Sequence, residues 1–332
     1  IPFVISGDIP SYIDAFFETV SGFTTTGATI LQDIEALPKS LLFWRMLTHW
    51  VGGLGIIFFT VAIFPIFGLS DIHLFAAESV GPMRAKLHPR IAVTARWILT
   101  IYVGLTLIAS ISYHFAGMGW FDSVCHAMST IATGGFSTKQ ASIAAFNSPQ
   151  IEYVTTLFMF LSGINMSLLY LFIFKFRFKE LLRDSEVKTY TSIVIIFTIA
   201  ISIGLYVTTP ADAEISFRTA LFQVVSIQTT TGFATTDFDL WPAFSKGLLM
   251  MLMVVGACAG STGGGMKCSR VLVLFRSSAR EIRTIIHPRS VSVVRLDGEP
   301  LPEQTVRTTQ CYFIIYIFLT FCAALLVGLD NF

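Results

Sequence analysis

The sequence predicts an all-α polytopic membrane protein, built from tandem repeats with pseudo-fourfold symmetry around a central axis. Of its 332 residues, 54% are hydrophobic and 13% are charged, whereas a soluble domain carries roughly 25% charged residues. Long apolar segments alternate with short ones. A threonine–glycine turn recurs three times at intervals of roughly one hundred residues, which is typical of internal repeats. Each repeat is expected to contain a spanning helix, a short pore helix, a turn and a second spanning helix.

The composition narrows the possible functions. The net charge is +1, so no overall basic balance indicates a nucleic-acid partner. The five cysteines form no C-x-x-C pair and are expected to be small buried hydrophobic side chains. The chain also contains neither the H-E-x-x-H nor the G-x-S-x-G motif, which argues against a membrane-embedded enzyme. We therefore expect a protein that is not an enzyme and that holds no organic cofactor.

The three threonine–glycine turns are the candidate ion-binding filter. Glycine reaches positive φ at no steric cost, so successive carbonyls can face one lumen. Non-helical backbone at membrane depth is tolerated only where it is buried in protein or lines a water-filled cavity, and rings of carbonyls replace the hydration shell of an ion in potassium filters. One copy alone would be read as an ordinary helix cap, but three copies favour a filter. The candidate residues are Thr24, Thr25, Thr26, Gly27, Ile131, Ala132, Thr133, Gly134, Thr229, Thr230, Thr231 and Gly232.

Residues 1–69 form the predicted first repeat. A helix over 12–23 is too short to cross a hydrocarbon layer of about 30 Å, which takes around twenty residues, so it is expected to be a re-entrant pore helix. A span follows over 41–69, where glycines at 52, 53 and 55 allow close helix approach in lipid. The outer helix of this repeat is missing from the sequence, which we expect to be truncated at both ends.

Residues 70–176 and 177–276 form the predicted second and third repeats. In the second repeat we expect a basic segment at 70–90, a span at 91–115, a pore helix at 120–131 and a second span at 150–174. In the third repeat we expect a span at 190–207, a pore helix at 216–228 and an interrupted span at 244–275. Residues 277–332 are expected to be a cytoplasmic segment and the first helix of a fourth repeat, whose filter and last helix are missing.

A glycine-rich stretch at 256–265 interrupts the last span of the third repeat. Each glycine lowers helix propensity by about 1 kcal/mol relative to alanine, so five of them within ten positions predict a break. Because broken backbone in a membrane must be buried or line a cavity, the break is predicted to be a gate below the filter; the alternative is a packing kink with no moving part. Lysine does not directly follow the second glycine as a Walker A loop requires, since Met266 stands there. The candidate gate residues are Gly256, Ala259, Gly260, Ser261, Thr262, Gly263, Gly264 and Gly265.

The distribution of charge predicts the orientation. Most of the 22 lysines and arginines fall in the segments 70–97, 175–190 and 266–308, so these segments are expected in the cytoplasm and the filters toward the outside. Glu18 and Asp122 lie on the predicted pore helices. They either raise the local cation concentration or act as capping and pairing groups.

The chain resembles the TrkH subunits of the Trk/Ktr/HKT potassium transporter superfamily. The likeness rests on SGFTTTGA at 21–28, HWVGGLGI at 49–56, GPMR at 81–84, TGGFS at 133–137, TTTGF at 229–233 and GSTGGG at 260–265. It implies four repeats around a pore and a homodimer of pores in the bacterial inner membrane. It also implies a TrkA-type cytoplasmic regulatory subunit, on which alone ATP or NAD is expected to bind.

The resemblance implies potassium uptake through the filter, gated by the glycine-rich loop, with K⁺ as the transported ion. In such a family Gly27 in the first filter favours potassium over sodium. The alternative within the family is a sodium/potassium-permissive or ion-coupled symporter. An alternative from another class is a non-conducting receptor or assembly subunit built on the same repeats.

Overall fold

The computed structural model describes residues 2–58, 91–209, 212–288 and 292–329, and in these ranges the chain is almost entirely helical. The α-helices are α1 (Pro2–Ser6), α2 (Tyr12–Phe23), α3 (Lys39–Phe58), α4 (Ile91–Phe115), α5 (Trp120–Ile131), α6 (Pro149–Ser162), α7 (Met166–Lys175), α8 (Phe178–Arg183), α9 (Ser185–Thr208), α10 (Ala213–Gln228), α11 (Ala243–Val254), α12 (Cys268–Ile286) and α13 (Glu303–Gly328). A two-residue hairpin pairs β1 (Arg295–Leu296) with β2 (Glu299–Pro300) in antiparallel register. Short 3₁₀ turns cover Ser142–Phe146 and Phe238–Leu240.

Three helices are too short to span a membrane and match the predicted pore helices. The first two, α2 and α5, have 12 residues each and the predicted bounds. The third, α10, has 16 residues and begins three positions before the predicted start. Ser11 caps α2 by accepting a hydrogen bond from the Asp14 amide, which satisfies one of the free donors at a helix start.

Long apolar helices occupy three of the predicted spanning segments. Among the described residues, α4 over 96–115, α9 and α13 are long and apolar enough to cross a membrane by length and composition. Their apolar residues are not confined to one face, as expected of membrane spans; Ile195, Ile199 and Ile203 of α9 remain exposed. The described part of the first-repeat span is α3. Its predicted end at 59–69 and the basic segment 70–90 lie outside the described residues.

The predicted continuous span over 150–174 is wrong, because the chain breaks between α6 and α7 with a bend of 103°. A β-carbon on Gly163 would lie 2.4 Å from the Tyr190 hydroxyl, so only glycine fits where α6 ends. Asn165 then starts α7 by accepting a hydrogen bond from the Ser167 amide. The Gly163 carbonyl accepts from the Cys258 amide at 3.0 Å, so the glycine-rich loop occupies the break.

The predicted interruption of the third-repeat span is present. Helix α11 ends at Val254 and α12 begins at Cys268, with irregular backbone between them. The core is formed where the short helices α5 and α10 pack against α4, α6 and α9. Its largest buried side chains include Tyr102, Tyr113, Tyr190 and Phe222. The short helices are thus held rigidly, with their C-terminal ends directed at the three turns.

Candidate ion filter and glycine-rich loop

The three short helices end in the same backbone conformation. One residue after each C-cap, a threonine adopts positive φ: 53° at Thr25, 53° at Thr133 and 58° at Thr230. The amide of the next residue donates to the carbonyl five residues earlier in the helix. The three bonds run from Thr26 to Ser21, from Gly134 to Ser129 and from Thr231 to Ser226, at 2.9–3.0 Å. This is the Schellman arrangement of a helix end. A β-branched residue at positive φ is strained, and strain repeated at three equivalent places indicates a functional constraint.

The backbone corrects the register predicted for the second turn. Gly27, Gly135 and Gly232 share φ values of 79°, 83° and 82° and follow the strained threonine by two residues. Gly135 is therefore the equivalent of Gly27 and Gly232, and alignment on Gly134 was wrong by one residue. Residues 132–135 of this turn correspond to 24–27 and 229–232, and Ile131 is the last residue of α5. Two adjacent glycines made both alignments possible in sequence.

Consecutive turns touch one another in the same way. A β-carbon on Gly27 would lie 2.2 Å from the Gly134 carbonyl oxygen, and one on Gly135 would lie 2.1 Å from the Thr231 carbonyl oxygen. Gly134 and Thr231 are equivalent positions, so the first turn packs on the second as the second packs on the third. This is the relation expected of consecutive repeats around one axis.

The side chains of the second turn differ from those of the other two. The hydroxyls of Thr24 and Thr26 lie 2.8 Å apart, as do those of Thr229 and Thr231. The second turn has Ala132 and Gly134 at these positions. It therefore presents no such hydroxyl pair.

A serine behind each turn also behaves differently in the second repeat. Ser21 donates to the Ala28 carbonyl at 2.5 Å, and Ser226 donates to the Phe233 carbonyl at 2.7 Å. The equivalent Ser129 instead lies 3.2 Å from Nδ1 of His49. The imidazole thus replaces the serine-to-turn hydrogen bond in this repeat.

His49 of α3 fills the space behind the second turn. Its ring is fully buried and stacks on Phe136 with the centroids 4.0 Å apart. A β-carbon on Gly134 would lie 2.2 Å from Nδ1 of His49. Glycine at 134 is therefore required by the imidazole, whereas glycine at 135 is favoured by positive φ.

A buried ion pair lies behind the first turn. Glu18 of α2 accepts from Nε of Arg45 at 2.8 Å, with both side chains at most 1% exposed. Arg45 also donates to the Ser137 carbonyl at 3.2 Å, so the pair links the first turn to the segment after the second. Of the two roles predicted for Glu18, raising the local cation concentration or pairing with another group, the structure supports pairing. Sequence reasoning did not identify Arg45, because nothing local connects two charges so far apart in the chain.

The second acidic residue on a pore helix also has a nearby partner. The carboxylate of Asp122 accepts from the Thr138 hydroxyl at 2.7 Å. Among the described residues, no group of three or more histidine, cysteine, aspartate or glutamate side chains is arranged to hold a metal ion.

The glycine-rich loop lies directly against the end of α5 and the third turn. Thr262 donates from its hydroxyl to the Ile131 carbonyl at 3.0 Å, and the Gly264 amide donates to the Thr230 hydroxyl at 2.6 Å. A β-carbon on Gly263 would lie 2.9 Å from the Thr229 carbonyl oxygen. The loop is therefore placed at the ends of α5 and α10.

Hydrogen bonds fold the loop onto itself and onto the break between α6 and α7. The Gly256 amide donates to the Met266 carbonyl at 2.8 Å, and the Met166 amide donates to the Gly260 carbonyl at 3.0 Å. The Lys267 ammonium donates to the Gly263 carbonyl. The backbone of the loop is thus ordered by hydrogen bonds within the loop and with neighbouring segments.

Comparisons with known proteins point to one family. The profile of the TrkH family, described as a cation transport protein, matches residues 2–331. The Trk system potassium uptake protein TrkH of Vibrio parahaemolyticus is 41% identical over 325 residues, covering 95% of this chain and 66% of the relative. TrkH of Escherichia coli K12 is 38% identical over 338 residues, covering 100% of this chain and 70% of the relative.

The similarity extends to three dimensions. The crystal structure of the potassium transporter TrkH from Vibrio parahaemolyticus superposes with a TM-score of 0.83 at 38% sequence identity. The match covers 93% of this chain and 63% of that structure. The present chain therefore spans under two thirds of the length of the solved transporter.

Proposed function

This chain belongs to the TrkH family of cation transport proteins, and on that premise we propose that it carries out potassium uptake across the bacterial inner membrane. Its relatives are named potassium uptake proteins, and its long apolar helices are suited to a multi-pass membrane protein. The proposed activity is ion translocation rather than catalysis. The transported ion is K⁺, and no organic cofactor takes part within this chain.

The three touching turns are the observation that carries this proposal. Each turn places strained, non-helical backbone at the end of a short helix, where it must be buried or line a cavity at membrane depth. Carbonyls of residues 24–27, 132–135 and 229–232 then replace part of the hydration shell of K⁺. The negative C-terminal ends of α2, α5 and α10 point at the same place and favour a cation. The Ile131 carbonyl belongs instead to the contact with the loop, since it accepts the Thr262 hydroxyl.

The glycine-rich loop is the proposed gate. It packs against the end of α5 through the hydroxyl of Thr262 and against the third turn through the amide of Gly264. Displacing the loop would open a path below the filter while leaving the turn-to-turn contacts intact. In this proposal a TrkA-type cytoplasmic subunit that binds ATP or NAD controls the loop, and two copies of the pore subunit form a homodimer.

Rubidium-86 and sodium-22 uptake into proteoliposomes tests the proposal with two variants. Gly232→Ser places a side chain at a filter residue with positive φ, and should lower the preference for rubidium over sodium. Deletion of residues 259–264 should raise the flux of rubidium. Gly7→Ser is the matched control, because Gly7 also has positive φ (+84°) and open space around it but belongs to none of the three turns.

The outcomes separate the candidate functions. Unchanged uptake in both variants would mean that the turns and the loop are structural, and the transport proposal would be withdrawn. Uptake that follows an imposed sodium or proton gradient would favour the ion-coupled symporter. Absence of flux in a folded protein that still binds the cytoplasmic subunit would favour the non-conducting receptor.

A further inference from the structure

One buried carboxylate binds the backbone at two points, one within the glycine-rich loop and one just after it. Glu186 is the second residue of α9 and is 5% exposed. Its Oε1 atom accepts hydrogen bonds from the Ala259 amide at 2.8 Å and from the Ser269 amide at 2.9 Å. Ala259 lies in the loop and Ser269 is the second residue of α12. A single oxygen on another helix therefore joins these two points of the backbone. The Cys268 amide, which donates to the Ala257 carbonyl at 3.1 Å, joins the same two segments beside it.

The surroundings explain why a carboxylate is suited to this position. Burial of a carboxylate is costly unless hydrogen bonds satisfy it, and the two amides supply such bonds. Glu186 lies in the first turn of α9 and also contacts the first turn of the 19-residue helix α12. Negative charge is favoured near a helix N-terminus, and here two N-termini act on one group. The two amides and the two helix N-termini thus offset part of the cost of burying this side chain.

The two bonds enclose the residues that meet the filter. Between Ala259 and Ser269 the chain carries Thr262, which donates to the Ile131 carbonyl, and Gly264, which donates to the Thr230 hydroxyl. If the two bonds to Glu186 break, Thr262 and Gly264 can move away from their partners together. The two bonds therefore limit the positions that the tip of the loop can adopt.

We propose that Glu186 is a positioning residue that clamps the glycine-rich loop against the end of α5 and the third turn, so that release of its two backbone hydrogen bonds is a required step of gate opening. This rests on the proposed function, because it assigns the control of the same gate. The clamp acts through the loop and makes no contact with the ion.

Native cysteines supply a readout that does not depend on transport. Cys258 adjoins Ala259 and is fully buried, so its thiol is shielded only while the loop stays in place. Cys125 is equally buried on α5, in a cluster with Met46 and Met128. Labelling with N-ethylmaleimide, measured at each cysteine by mass spectrometry, thus compares the loop with an internal reference.

The experiment compares the wild-type protein with Glu186→Ala, Glu186→Gln and Glu180→Ala in proteoliposomes. Glu180→Ala is the matched control, because Glu180 lies on the nearby α8 and pairs with Arg177 rather than with the loop. In Glu186→Ala, Cys258 labelling and rubidium uptake should each rise about tenfold or more, as expected for losing hydrogen bonds to a charged group. Glu186→Gln keeps an oxygen acceptor and should fall between Glu186→Ala and the wild type. Cys125 labelling should stay constant in all four proteins.

Each outcome has a defined meaning. Cys258 labelling at the wild-type rate in Glu186→Ala would overturn the clamp. Faster Cys258 labelling with unchanged rubidium uptake would support the clamp's hold on the loop, overturn its role in opening, and show that the loop is not the proposed gate. If Cys125 labelling also rises in Glu186→Ala, that variant has unfolded and Glu186→Gln decides. In that case, if Cys258 is labelled faster in Glu186→Gln than in Glu180→Ala, the clamp is supported. If the two variants are labelled at the same rate, the clamp is overturned.

Discussion

The adjacent glycines Gly134 and Gly135 should respond to alanine for different physical reasons. At Gly135 the backbone has φ +83°, and the added β-carbon would lie 2.1 Å from the Thr231 carbonyl oxygen. Ordinary contact begins at 3.4 Å, so the second and third turns would have to separate by roughly 1 Å. Left-handed backbone costs a non-glycine residue about 1–2 kcal/mol, and the separation of two backbones adds to it.

At Gly134 the obstacle is a side chain. The three atoms nearest an added β-carbon all belong to the His49 ring, at 2.2–2.5 Å, and Gly134 is not among the residues with positive φ. Overpacking of this kind costs about 1–3 kcal/mol. Truncating His49 to alanine removes the atoms that clash, whereas no side-chain truncation relieves the clash at Gly135.

A pair of double-mutant cycles measures the difference. The free energy of unfolding, from thermal or denaturant melts of the protein in detergent, is compared for Gly134→Ala and Gly135→Ala with and without His49→Ala. We expect a favourable coupling of about 1–2 kcal/mol between Gly134 and His49 and a coupling near zero between Gly135 and His49. The reasoning would be refuted by equal couplings in the two cycles, or by Gly135→Ala being rescued by His49→Ala.

Two further substitutions probe the supports of the filter and the loop. Arg45→Met should lower the free energy of unfolding by about 3–5 kcal/mol, because it leaves the buried Glu18 carboxylate without its cationic partner. Adding Glu18→Gln should restore much of this loss. A melting curve of Arg45→Met equal to that of the wild type would contradict the buried pair. Thr262→Val keeps the shape of the side chain but removes its hydrogen bond to the Ile131 carbonyl. The loop should leave the turn more readily by about 1 kcal/mol, so rubidium uptake should rise several-fold, and uptake at the wild-type level would remove Thr262 from the gate.

Segment lengths and helix-breaking residues made much of the fold predictable. The bounds of α2, α4 and α5 follow from apolar runs of defined length that end at polar or glycine-containing turns. The break before α12 follows from five closely spaced glycines. These features are local in sequence, so local reasoning is sufficient for them.

The break between α6 and α7 was missed because its causes are not local. Residues 150–174 read as one apolar run with a single glycine, which a helix tolerates. The bend arises because Tyr190 approaches Gly163 and because the Gly163 carbonyl accepts the Cys258 amide. Both partners come from the third repeat, far along the chain. An apolar run alone carries no signal of such partners.

The contacts missed in sequence are those between residues that lie far apart along the chain. Glu186 reads as an ordinary acidic residue in the first turn of a helix, and only the fold brings the amides of Ala259 and Ser269 to it. The register of the second turn failed for a related reason. The requirement for glycine at 134 comes from His49 of another helix, so two glycines stand side by side for unrelated causes.

The contacts around the filter differ in kind, and this difference decides which part can move. The turns meet backbone to backbone, with Gly27 against the Gly134 carbonyl and Gly135 against the Thr231 carbonyl. Shifting one turn therefore displaces its neighbour. The loop's polar contacts with the ends of α5 and α10 include the Thr262 hydroxyl and the Gly264 amide, each contributing about 0.5–1.5 kcal/mol net. Moving the loop breaks these bonds and those from Ala259 and Ser269 to Glu186, whereas moving a turn disturbs close-packed, strained backbone in the adjoining turns. In the proposed function, a gate at the loop can thus open and close while the proposed filter keeps its geometry.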